Sequence, residues 1–356
     1  MDNHTTNIFL KNLKIKYFWI FVTEECNLNC SYCFYRFRDR GRSIELKNIK
    51  VLFDVFPNLK YAEFVISGGE PLLEWDLTCK IIDYLKSKFN NYILVQTNGT
   101  LLDKPKIKFL KEANIGLELG IDGTLATMLK YRKGIHKYFN RIVDNIENAR
   151  TNNLRLYSTM TVHPEKASEI FKNYRYLIDI GIEKVEITPA AFERWNQQSV
   201  NIFQEEYKRT IKFAIINNKL GTISTEYDRP LKNMFVDLIP LPDNNVMTNW
   251  ALLALPKTIR NRFSFLQINK RDIRFNKAFL NKYLRAYLWL FNENKGVTYR
   301  DYSNLNASWV YERLFGRRQK YMFKYYEDIG NFFKKINQEI LLSLKAGYQY
   351  DKVRKQ

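Results

Sequence analysis

The first two hundred residues alternate between short apolar runs and amphipathic segments. Six runs rich in β-branched and aromatic residues predict strands over 16–23, 61–67, 92–97, 115–121, 154–162 and 184–188. The segments between them carry apolar residues three and four positions apart and predict helices over 43–56, 75–89, 104–112, 135–150 and 165–179. Strands that alternate with helices form a parallel sheet with right-handed crossovers. The pattern therefore predicts an α/β fold in which residues 1–200 form a partial (β/α)6 barrel, with functional residues at the carboxyl ends of the strands.

Two local signals refine this prediction. Ser43 precedes the first helical segment and is a candidate N-cap. After the sixth strand the pattern changes: residues 201–238 contain one more helical segment, which we expect to flank the barrel. The turn-like run Pro240-Leu241-Pro242-Asp243 predicts a linker over 239–256. Residues 257–356 carry apolar stripes at helical spacing, from Phe279 to Leu290 and from Ile329 to Leu344, and predict a mostly helical region.

Charge sets that last region apart from the rest of the chain. The net charge is +20, and residues 257–356 hold 22 Lys and Arg against 8 Asp and Glu. A basic, aromatic-rich region is typical of proteins that bind nucleic acid, acidic peptide or anionic lipid. A solvated helical face is the simpler interpretation. We assign residues 257–356 to substrate recognition as a working hypothesis.

The cellular compartment can be predicted from the apolar runs, the N-terminus and the cysteines of the chain. No apolar run is long enough to span a bilayer, and the N-terminus has no signal-peptide layout. The chain has four cysteines, three of them clustered, which argues against a disulfide framework and for a reducing interior. We expect a cytoplasmic protein without a membrane span.

The cluster Cys26-x-x-x-Cys30-x-x-Cys33 directly follows the first predicted strand. Thiolates are soft ligands, and this grouping suits zinc or an iron–sulfur cluster. A structural zinc site needs a fourth ligand. The candidates for that ligand, none at the usual spacing, are Cys79, His4, His136 and His163. Unrelated buried thiols are a third interpretation, because free cysteine packs as a small hydrophobe.

Glycine-rich polar motifs follow the next three strands. Ser67-Gly68-Gly69-Glu70-Pro71 ends the second strand, and its paired glycines allow the backbone to approach a ligand closely. Thr97-Asn98-Gly99 ends the third strand, and Gly120-Ile121-Asp122-Gly123 ends the fourth. Each motif taken alone is also compatible with a simple turn.

Together these motifs resemble the radical S-adenosylmethionine (SAM) superfamily. The resemblance rests on the cysteine spacing, with Tyr32 before the third cysteine, and on Gly68-Gly69-Glu70-Pro71 about forty residues later, and it covers residues 14–195. It implies that Cys26, Cys30 and Cys33 hold one [4Fe–4S] cluster whose free iron binds SAM. In that family, reductive cleavage of SAM gives a 5′-deoxyadenosyl radical that abstracts hydrogen.

The resemblance also implies contacts to SAM. Gly68, Gly69 and Glu70, with Ser67 before them, match the motif that holds the methionine amine, and Asp122 matches a ribose ligand. Arg132 matches an arginine that pairs with the SAM carboxylate, and an exposed, solvated arginine is the alternative. The remaining candidate contacts are Thr97 and Asn98 after the third strand and, near the adenine, Tyr32, Ile187 and Thr188. The motif at the end of the fourth strand, Gly120-Ile121-Asp122-Gly123, usually reads Ser-x-Asp-Gly in the peptide-maturing branch of the family. Gly120 stands here in place of that serine.

In the order and spacing of its motifs, the first half of the chain is similar to anaerobic sulfatase-maturating and ribosomal-peptide-maturing enzymes. Their C-terminal SPASM cysteines are missing here, since no cysteine follows Cys79, and we expect a single cluster. The implied function is an oxidoreductase-type peptide maturase that abstracts hydrogen from a peptide or protein side chain. Its expected partners are an acidic peptide substrate and an electron donor such as flavodoxin or ferredoxin. Cys79 is a structural thiol or, alternatively, a hydrogen-atom donor.

Two other functions stay open. The basic C-terminal region favours RNA as an alternative substrate, because it supplies phosphate contacts and aromatic surfaces for base stacking. The second alternative is a non-catalytic protein that binds a metal or cluster on a degenerate scaffold, and the departure at Gly120 favours it.

Overall fold

The computed structural model describes residues 14–36, 38, 41–190, 193–223, 236–248, 250–269, 272–276, 331–333 and 335–336. Twelve strands lie in this part of the chain. They are β1 (Ile15–Phe21), β2 (Asn29–Cys30), β3 (Glu63–Ser67), β4 (Ile93–Thr97), β5 (Gly116–Leu119), β6 (Arg132–Lys133), β7 (Leu156–Val162), β8 (Lys184–Pro189), β9 (Val236–Pro240), β10 (Asn245–Met247), β11 (Leu266–Asn269) and β12 (Asp272–Phe275).

The helices lie mainly between the strands. They are α1 (Leu46–Val55), α2 (Trp75–Lys88), α3 (Lys104–Glu112), α4 (Leu125–Leu129), α5 (Phe139–Thr151), α6 (Ile170–Asp179), α7 (Gln197–Ile216) and α8 (Lys257–Arg260). Short 3-10 turns complete several connections, including Pro71–Glu74 and Pro164–Glu169. Among the described residues, no helix is long and apolar enough to cross a membrane.

The ten-stranded sheet has the order β12-β11-β10-β9-β1-β3-β4-β5-β7-β8, and the six barrel strands form the side of it that runs from β1 to the edge strand β8. Each strand from β1 to β8 in this order pairs in parallel with its neighbour, and Ile20 of β1, for example, lies opposite Ile66 of β3. The predicted α/β architecture is therefore confirmed. Parallel pairing brings the carboxyl ends of these strands to one edge, where the predicted motifs lie.

The two faces of the barrel strands differ in chemistry. On β1, Phe18 faces the helical layer and its ring meets that of Phe53 in α1 edge-on, with centroids 5.5 Å apart. On the opposite face, Tyr17 and Trp19 are neighbours with centroids 5.9 Å apart. On that inner face polar side chains bond across the strands, and the Gln96 amide donates to Glu118. The main hydrophobic core therefore lies between sheet and helices, and the barrel interior is polar.

The sheet continues where the sequence predicted a linker. β9 pairs in parallel with β1, and β10, β11 and β12 extend the sheet in antiparallel order. The turn signal at Pro240–Asn244 is real, since Leu241 N donates to Asn245 O, but the turn joins β9 to β10. The physical reason is that β1 would otherwise have one unpaired edge, which β9 covers.

Part of the predicted C-terminal helical region can be compared with the structure. Residues 331–333 and 335–336 are helical, and Phe333 packs against Phe203 and Tyr207 of α7 with ring centroids 5.8 and 4.9 Å away. Residues 266–275 contain the β11–β12 pair, where helix was expected. The stripe from Phe279 to Leu290 and most of residues 257–356 lie outside the described residues.

Candidate functional site

The three clustered cysteines lie in the loop that leaves the carboxyl end of β1. All three are free, partly buried thiols. The short strand β2 pairs antiparallel with β6, which places Cys30 opposite Arg132. Ser31 N donates to Tyr131 O over 2.8 Å and extends this pairing by one residue. The cysteine loop is thus fixed to the segment that follows β5.

The thiols are close enough to affect one another's ionisation. The pKa of Cys30 is raised to about 11, chiefly by burial; Arg132 opposes the rise, and Cys33, Asp122 and Cys26 contribute to it. Burial also raises the pKa of Cys26. The Cys26 and Cys30 thiols are therefore protonated at neutral pH, and binding of metal must release their protons. Three adjacent soft ligands on one loop fit thiolate ligation of an iron–sulfur cluster.

A single metal ion has no comparable site in the part of the chain that is described. There, no group of three His, Cys, Asp or Glu side chains is arranged to hold one ion.

The paired glycines hold the start of the cysteine loop. Gly68 has a φ of +134°, and a Cβ on Gly69 would lie 2.0 Å from the carbonyl oxygen of Glu25. Gly69 N donates to Thr23 O over 2.8 Å, and Glu70 N donates to Glu25 O over 2.7 Å. The close approach predicted for a ligand is here an approach of two protein backbones. A role of the motif toward the methionine amine stays a prediction.

Glu70 links the ends of β3 and β4. Its buried carboxylate accepts hydrogen bonds from Leu72 N (3.0 Å), Thr97 Oγ1 (2.6 Å) and Asn98 N (2.8 Å). Burial nevertheless raises its pKa to about 7, although the three donors act in the opposite direction. The Glu70 carboxylate is thus used within the protein, and the motif's remaining capacity toward a ligand lies in its backbone.

Asn98, which donates its backbone N–H to Glu70, also contacts the cysteine loop. Its side-chain amide donates to Asn27 Oδ1 over 2.9 Å and lies 3.8 Å from Cys26 Sγ. Asn27 in turn donates to Thr100 Oγ1 over 2.7 Å. Asn27 lies between Cys26 and Cys30, and this position in the sequence was a usable signal for a role that motif spacing alone did not indicate.

Tyr32, Asp122 and Arg132 form one buried cluster beside Cys30. Arg132 donates from Nε to Asp122 Oδ2 over 2.7 Å and from Nη2 to Oδ1 over 2.9 Å. The Tyr32 hydroxyl donates to Asp122 Oδ2, and Thr161 N donates to Oδ1 over 3.0 Å. The guanidinium also lies over the Tyr32 ring, 5.4 Å from its centroid.

This cluster changes the roles expected for its members. A carboxylate offers about four lone-pair sites, and four donors already occupy those of Asp122. A ribose contact by Asp122 would require one of them to move away. Arg132 is not the exposed arginine of the alternative interpretation, because its side chain is only 8% exposed and is paired in two places. Burial lowers the pKa of Arg132, but the Asp122 carboxylate and Tyr32 together outweigh it and keep that pKa well above its usual range.

The cluster also accounts for Gly120. A Cβ at this position would lie 3.1 Å from Arg132 Nη1 and 3.4 Å from Nη2. The glycine therefore leaves room for the guanidinium, where the related branch carries a serine.

The predicted contacts on β8 lie on opposite faces of that strand. Ile187 is 2% exposed and belongs to the hydrophobic core. Thr188 is on the inner face, where its hydroxyl donates to Glu186 over 2.9 Å. Because side chains alternate along a strand, only Thr188 of this pair directs its side chain to the barrel interior. The adenine contact expected of Ile187 stays a prediction. Ser67 also faces inward and donates to Gln96 over 2.7 Å.

Cys79 lies on α2, away from the cysteine loop in the chain. Burial, aided by Asp83 and Asp76, raises the pKa of its thiol to about 11. A thiol surrounded by carboxylates stays protonated and unreactive, which favours the structural interpretation.

A second buried ionic cluster connects the cysteine loop to the C-terminal strands. Arg260 is 0% exposed and lies 3.7 Å from Glu24 Oε1 and 3.5 Å from Asp243 Oδ2. The Tyr35 hydroxyl donates to Glu24 Oε1 over 2.7 Å. The sequence did not single out Arg260, because one arginine in a basic region carries no signal of burial.

Comparison with known proteins agrees with this arrangement. A family model described as the Radical SAM superfamily matches residues 20–187. A cysteine-type anaerobic sulfatase-maturating enzyme of Clostridium novyi is 30% identical over 182 residues, which are 44% of this chain and 48% of that enzyme. A probable GTP 3′,8-cyclase of Pyrobaculum aerophilum is 35% identical over 102 residues, 27% of this chain and 32% of that protein. The chain spans less than half the length of these curated relatives.

Solved structures share the fold. Streptococcus suis SuiB bound to its precursor peptide SuiA has a TM-score of 0.57 and 12% sequence identity, over 71% of this chain and 64% of that one. At this identity the likeness shows the fold alone.

Proposed function

We propose that this protein, which carries a radical SAM domain over residues 20–187, abstracts hydrogen from a peptide or protein side chain. One [4Fe–4S] cluster and SAM are the cofactors of this family. The observation that carries the proposal is the meeting of three thiols with the Gly68–Glu70 and Thr97–Gly99 motifs at one edge of a parallel sheet. The sulfatase-maturating relative supports a peptide or protein substrate, and SuiB, which shares the fold, has been solved with a bound precursor peptide.

When bound, the cluster and SAM supply the electron and the 5′-deoxyadenosyl radical. The protein's own residues would bind the cluster and orient SAM. Cys26, Cys30 and Cys33 would hold the cluster, and the backbone from Ser67 to Glu70 would face the methionine amine. Arg132 donates to Asp122 through Nε and Nη2, so Nη1, on the side of Gly120, is the group that we assign to the SAM carboxylate.

The remaining candidate residues are assigned in the same way. Thr97 and Asn98 hold the cysteine loop, and Tyr32 and Thr188 would border the adenine. Asp122 orients Arg132 and Tyr32, and it would reach the ribose only if one of its four donors moved away. The electron donor is a small reductant protein of the flavodoxin or ferredoxin type. Clustered free cysteines that are not paired in disulfides fit a reducing compartment, for which we propose the cytoplasm.

The first experiment tests the radical chemistry alone. The protein is purified without oxygen, loaded with iron and sulfide and reduced with dithionite in the presence of SAM. We expect mass spectrometry to detect 5′-deoxyadenosine from the wild type and none from Cys30→Ala, because that variant loses a cluster ligand. Cys79→Ala is the matched control and should keep both its iron and its activity.

Two results would contradict the proposal. One is zinc in place of iron in protein kept free of oxygen, which favours the non-catalytic alternative. The other is a wild type that holds about four irons per chain and cleaves no SAM, with or without peptide.

RNA is the second candidate substrate, and the excess of 14 positive charges in residues 257–356 favours it. Binding that depends on phosphate contacts weakens steeply with salt. We expect a tRNA-binding titration to show such a slope if RNA is the substrate, and no binding at low salt would exclude it.

A further inference from the structure

A band of hydrogen bonds crosses the barrel interior below the cofactor edge. The Ser67 hydroxyl donates to Gln96 Oε1 over 2.7 Å, and Gln96 Nε2 donates to Glu118 Oε1 over 2.8 Å. Thr159 Oγ1 donates to the same Glu118 oxygen over 2.5 Å. These four residues lie on β3, β4, β5 and β7. The Glu118 carboxylate is therefore held by donors from both neighbouring strands, β4 and β7.

Both of these hydrogen bonds to Glu118 use Oε1, and its other carboxylate oxygen, Oε2, takes no part in the band. Glu118 is only 7% exposed, and no described residue donates a hydrogen bond to its Oε2. Glu118 lines a cavity of about 150 Å³. A carboxylate removed from water is costly unless a cation or donor compensates it. The cavity therefore presents a negative group that can bind a positively charged partner.

The rest of the cavity lining suits the same partner. Tyr17, Tyr92 and Tyr157 line it, and aromatic rings attract alkylammonium groups through their π faces. The charged residues of the lining are Glu63, Glu118 and Glu186 against Lys184. A chain with a net charge of +20 thus has a predominantly acidic cavity inside its barrel.

The cavity also lies in the right place for a substrate group. Glu118 lies opposite Gln96 of β4, the residue before the Thr97–Gly99 motif, and so is near the carboxyl edge of the sheet. Other lining residues, such as Glu63 and Lys184, lie at the amino ends of the strands. Glu118 is therefore at the end of the cavity that is nearest to the cofactor edge.

We propose that Glu118 is a specificity-determining residue that binds the ammonium group of a lysine side chain in the peptide substrate. This rests on the proposed function and narrows its substrate class. A cavity of this size accommodates about one benzene-sized group, which matches a single side chain rather than a nucleotide. The lysine-bearing segment is distinct from the acidic segment that the basic C-terminal region would recognise.

The test compares two peptides on the protein loaded with its cluster and SAM. Isothermal titration calorimetry measures binding of acetyl-Gly-Ala-Lys-Ala-Gly-amide and of the same peptide with norleucine, which keeps the chain length and removes the charge. We expect the lysine peptide to bind wild type about tenfold more tightly. Glu118→Gln should reduce that preference to about twofold or less, since glutamine keeps the shape and loses the charge.

The matched control is Glu112→Gln, an exposed carboxylate on α3, which should keep the wild-type preference. Circular dichroism and iron content verify that Glu118→Gln is folded and loaded. If it is not, Glu118→Asp takes its place and should retain part of the preference. Equal binding of the two peptides to wild type, no binding of either up to about 10 mM, or an unchanged preference in the folded variant would overturn the inference.

These outcomes are separate from failure of the proposed function. The 5′-deoxyadenosine assay without peptide reports the radical chemistry whether or not Glu118 selects lysine. Wild type that cleaves SAM but binds both peptides equally would remove this inference and leave the radical chemistry in place.

Discussion

At the scale of single residues, the site is built from groups that hold each other before they hold a ligand. Glu70 fixes two strand ends, and Asp122 fixes Arg132 and Tyr32. The sequence identified each of these residues, but not that they are mutual partners. Motif spacing reports position along the chain, whereas the saturation of a carboxylate depends on donors from distant strands, such as Thr161 N.

Gly120 gives a prediction at this scale. Gly120→Ala adds a Cβ within 3.1 Å of Arg132 Nη1, in a buried pair with little freedom to move. We expect the free energy of unfolding to fall by about 1–2 kcal/mol in a urea titration. Gly221→Ala is the matched control, because nothing lies within 4 Å of a Cβ there. Equal stability of the two variants would mean that Gly120 has no role in seating Arg132.

Glu70 gives a second prediction, on pH. Its pKa is raised from 4.5 to about 7 in the folded protein, so between these values the folded state binds more protons than the unfolded state. Stability from this group is therefore present below about pH 4.5 and is lost as the pH rises to about 7, by about 3 kcal/mol in total. Urea titrations of the metal-free protein at about pH 5 and about pH 7.5 should show a larger fall for wild type than for Glu70→Gln. Parallel falls would contradict the raised pKa.

At the scale of elements, strands were predicted more reliably than caps and long-range pairs. The six barrel strands agree with their apolar runs to within two residues at each end, because a period of two is a local property. Ser43 is not the N-cap of α1: Glu45 occupies that position, and the Ser43 hydroxyl donates to Glu74 over 2.8 Å. β9 was missed because its partner β1 lies more than two hundred residues earlier in the chain.

Arg260 gives the prediction for this scale, since it joins α8 to the cysteine loop. Its Nε and Nη1 have no hydrogen-bond partner among the described residues, so the buried charge depends on Glu24 and Asp243. We expect Arg260→Met to lower the free energy of unfolding by about 3 kcal/mol, because two carboxylates lose their cation. Chemical denaturation measures this, with exposed Arg262→Met as the control that should be near neutral. No loss of stability would mean that the cluster contributes nothing to holding the loop.

At the scale of the whole molecule, the net charge of the chain and the charge of the cavity lining have opposite signs. The chain as a whole is strongly basic, while the barrel cavity is lined by three carboxylates against one lysine. Net charge from the sequence predicted the outer character and could not predict the inner one. The signal in the sequence was Glu118 in the apolar run Ile115-Gly116-Leu117-Glu118-Leu119, a charge in a strand that is otherwise typical of a core.

The pairing of β1 has a consequence for how securely the cysteine loop is held. This strand has partners along both edges, β3 and β9, and the loop it carries is tied down by Gly69, Glu70, Asn98 and the β6 segment. These ties come from three separate segments of the chain, Gly69–Glu70, Asn98 and β6. The position of the cysteine loop is therefore redundantly determined, and the loss of any one tie leaves the others to hold it.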